Sequence, residues 1–449
     1  MMKTARTSGL VAFVLALALL GGAASLVAQE DDDPSEAPST PTAEATATDG
    51  PTDGRAGYAD GEPVLDGAGS VPAELARDDL NLGSALDIRW LDGLLGPWFD
   101  AKRRWNQKYG LKLQLSYQSL HQVLDQSPGE ENGAAGRAEF QGMWTLVGRK
   151  TDNPGALSFR YEYRDTLGGK VPPSSLEGGF GGLGQTGTGF SDFGSALTEF
   201  SWRQSMYGGR FKFGLGKISA TSWYNGHALS APKSGFQNSA LQSSTSKPLP
   251  GRGIGLITAY RGAKHFGVVA GIHDANGKTA ENPFDTIDQS EFFKSVEFRY
   301  VPTTPDRVRY DQVRLQLWHQ DAREEAGTPS PSGRTAAASL LVNDQWMPFL
   351  VAGVSDGEAT IMEADVTVGV GIGIKTAHGA SRDVLGFGVN WGRPSSPALQ
   401  EQYTWELFYR LQLFQHIAFT PSVQLIDDPA ANPDLDQVWV GSLRARFTF

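Results

Sequence analysis

Apolar and polar residues alternate one by one along most of this chain. The last twelve residues show it best. Trp439, Gly441, Leu443, Ala445, Phe447 and Phe449 share one phase, and Ser442, Arg444, Arg446 and Thr448 share the other. Val438 and Val440 are the only apolar residues in the polar phase. Successive side chains of a strand point to opposite faces, so this period of two predicts a strand with one apolar and one charged face. The same period starts at Leu111, where Leu113, Leu115 and Tyr117 alternate with Lys112, Gln114, Ser116 and Gln118. It returns at Phe140–Leu146 and Leu157–Arg164, and then near 196–204, 210–218, 253–261, 265–273, 292–301, 311–320, 335–343, 346–354, 362–374, 384–391, 402–413 and 417–426. With the terminal strand these make about sixteen segments of roughly ten residues, the length a tilted membrane strand needs.

The joins between segments sort by length. Short joins at 150–155, 205–209, 262–264, 344–345 and 414–416 alternate with longer ones at 123–138, 165–195, 219–252, 274–291, 321–334 and 427–437. Joins 302–310 and 375–383 are long for turns. Outer-membrane barrels have short periplasmic turns and long external loops, and an even strand count leaves both chain ends in the periplasm. The predicted fold is therefore all-β, a transmembrane antiparallel barrel. Arg160, Glu162 and Arg164, Lys212, Arg299, Arg314, and Arg444 with Arg446 fall on the polar phase. A water-filled lumen spares such charges the cost of hydrocarbon.

The front of the chain lacks this alternation. Lys3 and Arg6 precede an apolar run at 10–20 and a small-residue stretch, the pattern of a secretory signal peptide ending near residue 28. Residues 29–83 form an acidic linker rich in Pro, Thr and Ala, too poor in apolar surface to fold, and read as disordered. In 84–110, Trp98, Ala101, Trp105 and Tyr109 recur at helical spacing after Pro97, with Gly110 as the stop. That predicts a short amphipathic periplasmic helix against the barrel domain, 111–449.

Charge and composition narrow the chemistry. The formal charge of −11 belongs to the front: residues 1–83 hold 14 acids and 4 bases, and the remainder holds 36 acids against 35 bases. No basic stripe suggests nucleic acid. There is no cysteine, and the seven histidines form no metal-ligating pair. The glycine-rich stretch 271–279 has the wrong spacing for a phosphate loop and runs toward Pro283 instead of a helix. The residues therefore imply no catalytic group, metal or cofactor. Loops 165–195 and 219–252 are where selectivity would arise. The second carries Trp223 and Phe236, whose rings could offer apolar faces to sugars beside hydrogen-bonding neighbours.

Several stretches resemble the carbohydrate-selective porin family (OprB type). They are 213–217 (Phe-Gly-Leu-Gly-Lys), 236–238 (Phe-Gln-Asn), 270–277, 383–391, 406–410 (Glu-Leu-Phe-Tyr-Arg) and 420–424 with Asp428 and Pro429. The resemblance covers roughly 84–449. It implies a sixteen-stranded outer-membrane barrel of a Gram-negative-type bacterium, passing sugars passively through an arginine-bearing constriction. Expected pore-wall residues are Arg160, Glu162, Arg164, Lys212, Arg299 and Arg314, with Trp223 and Phe236 from the loop. Expected partners are sugars or other small solutes, outer-membrane lipid and the barrel-assembly machinery. Phe449, with Phe447, would serve that machinery as a signal. A homo-oligomer stays open. So do an anion, phosphate or general porin, an envelope-anchoring barrel, and a barrel hydrolase.

Overall fold

The computed structural model describes residues 67–78, 89–168, 171–224, 227–262, 265–303, 307, 309–374 and 383–449. The expected signal peptide and the linker up to residue 66 lie outside the described residues.

Sixteen antiparallel strands close into one barrel among the described residues. They are β1 (Leu111–Leu124), β2 (Asn132–Val147), β3 (Gly155–Thr166), β4 (Gly194–Met206), β5 (Phe211–Ile218), β6 (Gly253–Arg261), β7 (Phe266–Asp274) and β8 (Phe292–Tyr300), followed by β9 (Gln312–Gln320), β10 (Ser332–Ser339), β11 (Trp346–Ser355), β12 (Met362–Ile372), β13 (Val384–Pro394), β14 (Gln402–Phe414), β15 (Ile417–Asp427) and β16 (Gln437–Thr448). Each strand pairs with the next, and β16 returns to β1 with Leu443 opposite His121. The seam runs to the last residue, where the N–H and C=O of Phe449 bond the C=O and N–H of Leu115 at 2.7 and 3.0 Å. Closure satisfies every wall strand on both edges, which hydrocarbon requires.

The two phases of the alternation separate as inside and outside. Leu115, Tyr117, Phe140, Tyr161, Tyr163 and Leu443 are exposed on the outer surface, whereas Gln114, Gln118, Glu139, Gln141 and Arg160 are buried within. An apolar outside and a polar inside invert the soluble pattern and suit a wall standing in lipid. Two strands reach further than the alternation suggests. β1 and β2 narrow the expected join at 123–138, because Gly133, Ala134, Ala135 and Gly136 are small on both faces and hide the period.

Val438 and Val440, the apolar residues in a polar phase, also find a reason. They lie inside with Leu124 and Ile426 beneath Leu176 and Phe180 of the incoming loop.

Four helices accompany the strands among the described residues: α1 (Val71–Asp78), α2 (Arg89–Tyr109), α3 (Leu176–Phe180) and α4 (Thr221–Tyr224). The expected start at Pro97 falls inside α2, which continues toward the N-terminus. Gly110 ends it at φ +71°, its N–H on the Asn106 carbonyl at 2.8 Å. Arg149, from the β2–β3 turn, donates to the carbonyls of Asn106, Gln107 and Lys108 at 3.2, 2.9 and 3.0 Å. A cation there complements the negative end of the helix. Phe99 stacks on His416 of the β14–β15 turn at 4.7 Å. Thus α2 braces the barrel end that carries the short turns.

Helix α1 falls within the stretch expected to be linker. Ser70 begins it: its hydroxyl accepts the Ala73 N–H at 3.3 Å and its carbonyl the Glu74 N–H at 3.0 Å. Val71, Ala73, Glu74 and Leu75 are all buried. The acidic composition of the whole segment masks this short apolar run.

Candidate functional site

The interior is narrowed by two loops that fold inward. Strand β5 is short, and the chain leaves the wall part-way; residues 219–224 and 227–252 pack against the inner faces of the strands. Along an apolar wall, Leu229, Phe236 and Leu241 of this loop pack on Met347 and Phe349 of β11, Val384 of β13 and Phe408 of β14. Phe236 meets Phe408 edge-on at 5.0 Å, and the His227 ring stacks on Phe349 at 3.9 Å. Burial lowers the His227 pKa to about 3 against the Leu241 carbonyl bond that raises it, so the ring stays neutral. Polar anchors hold the same loop elsewhere. Glu406 accepts the N–H of Gln237 at 2.9 Å and of Asn238 at 2.9 Å. Arg444 donates to the carbonyls of Pro232 and Gly235, and Asp365 accepts the Ser244 hydroxyl at 2.6 Å.

The opposite wall is charged. Glu162 of β3 accepts from Arg137 at 3.0 Å, from Arg164 at 2.5 Å, and from Arg252 at the end of the loop. Glu139 of β2 accepts from Arg137 at 2.7 Å and from Lys233 at 2.9 Å. Arg160 donates to Gln141 at 2.8 Å. Residues two apart on one strand share a face, so β2 and β3 present Arg137 and Glu139 beside Arg160, Glu162 and Arg164 as one ladder. Burial pulls the Lys233 ammonium down to about 8, with Glu139 and Glu74 pulling it back up. A second, smaller group lies on β8 and β9. There Glu297 pairs with Arg299 and with Arg314 at 3.4 Å, and the two arginines donate to the carbonyls of Trp223 and Tyr224 at 2.6 and 3.2 Å.

The expected residues therefore fall into separate places. Arg160, Glu162 and Arg164 come together on the ladder. Arg299 and Arg314 share Glu297 in the second group. Lys212, on β5, is half-buried. The rings of Trp223 and Phe236 are packed and not open: Trp223 is 2% exposed beside Ile257, Ala259 and Val269, with the Arg203 guanidinium 4.5 Å above it, and Phe236 is 0% exposed. As placed, both fasten the loop. Phe447 and Phe449 sit at the seam and are partly exposed.

Sequence reasoning did not single out Arg137, Glu139, Lys233, Arg252 or Glu74. Arg137 and Glu139 carried a signal, since both lie in the polar phase leading into Phe140. Lys233, Arg252 and Glu74 sit where no period assigns a face.

A closed sixteen-strand wall, apolar outside and charged inside with a long loop folded into the lumen, defines a porin, a channel for small solutes. The family model described as carbohydrate-selective porin, OprB family, matches residues 179–449. The chain belongs to that family and is an outer-membrane protein of the Gram-negative type. Its structure is similar to that of Pseudomonas putida OprB at high pH, with a TM-score of 0.64 and 15% identity over 78% of this chain and 97% of that one. The low-pH structure of the same protein gives a TM-score of 0.47 at 14% identity, over 79% and 97% of the two chains. A triple mutant of Rhodopseudomonas blastica porin gives 0.48 at 11% identity, over 76% and 100%. A comparison with curated protein sequences gave no match.

Proposed function

We propose that this porin passes carbohydrates, monosaccharides among them, by passive diffusion into the periplasm. The observation that carries the reading is the family match, which spans the inward loop 219–252 and strands β4 to β16. Sugar hydroxyls need paired donors and acceptors, and the two charged groups supply both. Arg160, Glu162, Arg164, Arg299 and Arg314 belong to that lining, and Lys212 adds a cation on β5. No covalent step or cofactor enters such transport.

The same reading sets the short turns and α2 on the periplasmic side and the aromatic outer belt in lipid. Phe449, with Phe447 two residues before it on the same face, is the feature the assembly machinery would read. Single-channel conductance in planar bilayers, titrated with glucose, maltose and phosphate, tests the selectivity. Sugars should reduce the current in a saturable way. Block by phosphate with indifference to both sugars would replace this reading with an anion channel.

A further inference from the structure

The charged wall is already covered from within its own chain. Helix α1 lies against β1, β2 and β3 inside the barrel, and its Glu74 reaches β16. The Glu74 carboxylate accepts from Arg446 of β16 at 2.9 Å and from Lys233 of the inward loop at 3.4 Å. Arg160 donates to the Gly69 carbonyl at 3.0 Å, Gln114 of β1 donates to the Glu74 carbonyl at 3.3 Å, and the Gly67 N–H reaches the Ser222 carbonyl at 2.7 Å. Glu74 and Glu162 are 0% exposed and Arg160 is 1% exposed. The segment thus occupies donors that a solute in the lumen would otherwise meet.

The charges say what kind of solute. Arg137, Arg160, Arg164, Lys233, Arg252 and Arg446 carry the positive charge here. The wall answers with Glu139, Glu162 and Glu199, each buried. Glu74 is a further carboxylate, delivered by a chain segment and not by the wall. If the segment left, Arg446 would lose its partner carboxylate and Lys233 one of its two, while Arg160 would lose an acceptor. A charge-assisted bond is about twice as strong as a neutral one, so a ligand bringing its own carboxylate replaces what is lost and a neutral one does not. Ala68, Val71, Ala73 and Leu75 are buried as well, but stand outside the apolar clusters that hold the loops.

We propose that residues 67–78 are a tethered occupant of the pore, with Glu74 standing in for the carboxylate of an acidic sugar such as a uronate, which displaces it. The carbohydrate part of this inference rests on the sugar-passing reading above.

The chain contains no cysteine, so a single introduced thiol reports on the segment alone. In the full-length Ala73→Cys protein in vesicles, a water-soluble maleimide should react slowly. Glucuronate should speed the reaction and glucose should not. Adding Glu74→Gln should raise the basal rate about tenfold, the change expected from one charge-assisted contact, and lower the glucuronate concentration that speeds it. Deleting residues 67–78 should increase single-channel conductance. Equal labelling with and without glucuronate would overturn the proposal, as would equal acceleration by glucose. Should the deletion fail to assemble, the labelling of the full-length variants decides. Vesicles that pass no neutral or acidic sugar, with labelling still responsive to glucuronate, would overturn sugar passage and leave the tethered occupant standing.

Discussion

Two pieces of chain cover two walls of one lumen, and the balance of forces that holds them differs. Loop residues Leu229, Phe236 and Leu241 sit against β11, β13 and β14, where burial of apolar surface fixes the loop and Glu406, Asp365 and Arg444 add polar anchors. Residues 67–75 sit against β1–β3 and β16 through Glu74 and the Gly69 carbonyl, with Val71, Leu75 and two alanines buried beside them. Apolar burial is non-directional, and no small polar solute can compete with it. Ion pairs and hydrogen bonds can be exchanged, because a solute with the same groups offers the same bonds. The loop is a fixed constriction, and the N-terminal segment is the replaceable part.

The difference can be broken from the apolar side first. Phe236→Ala should cost about 4 kcal/mol by leaving a cavity among Phe349, Phe408 and Leu241. Urea unfolding in vesicles measures the loss, and protease should then cut within 219–252. An uncut loop at unchanged stability would mean that the anchor lies elsewhere. On the charged side, Glu162→Gln leaves Arg137, Arg164 and Arg252 without their shared carboxylate, at a cost of about 3 kcal/mol. Its signature is a stability that now rises with added anion. Insensitivity to salt would argue against a buried ladder.

A third change concerns the loop that closes over the long-loop end. Burial pushes the Glu177 carboxyl up to about 7, while bonds from Gln402 and Asn238 pull it down. The folded value lies above the unfolded one, so the folded state binds the proton more tightly. The stability is then fully present below the unfolded value of about 4.3 and is lost as pH rises through about 7. Glu177→Gln should flatten that slope and stabilise the barrel by about 3 kcal/mol at pH 8. An unaltered pH profile of unfolding would count against it. The smallest effect is expected at the seam. Removing Phe449 deletes two main-chain bonds to Leu115, about 1 to 2 kcal/mol in all. Less protein should reach the outer membrane, with single-channel conductance unchanged in what does. Normal assembly with altered conductance would reverse that assignment.

Much of the barrel could be read in the sequence because lipid outside and water inside impose opposite demands on alternate residues. Leu115, Tyr117 and Phe140 could not share a face with Gln114, Ser116 and Glu139. The read failed where both neighbours are small, as at 133–136, and where the chain leaves the wall. There period two no longer assigns a face. Arg160, Glu162 and Arg164 were visible as a row because one strand holds them. Lys233, Arg252 and Glu74 were not, since only the folded loop and the N-terminal segment bring them to that row. Trp223 and Phe236 look the same in sequence whether an aromatic faces solute or fastens a loop. Glu74 was the hardest of all, an acid within an acidic stretch, distinguished only by Val71, Ala73 and Leu75 around it.

The contacts of Glu74 also bear on the order in which the barrel comes together. Its carbonyl is held by Gln114 of β1 and its side chain by Arg446 of β16, the first and last strands. Those strands are the most distant neighbours in the sequence, so joining them carries the largest loop-closure entropy of any pair in the wall. A segment tied to β1 through α2 and gripped by β16 is a stitch across that joint. It would hold the two edges near each other while they zip, so the same residue that occupies the finished lumen would also shorten the last search in its making.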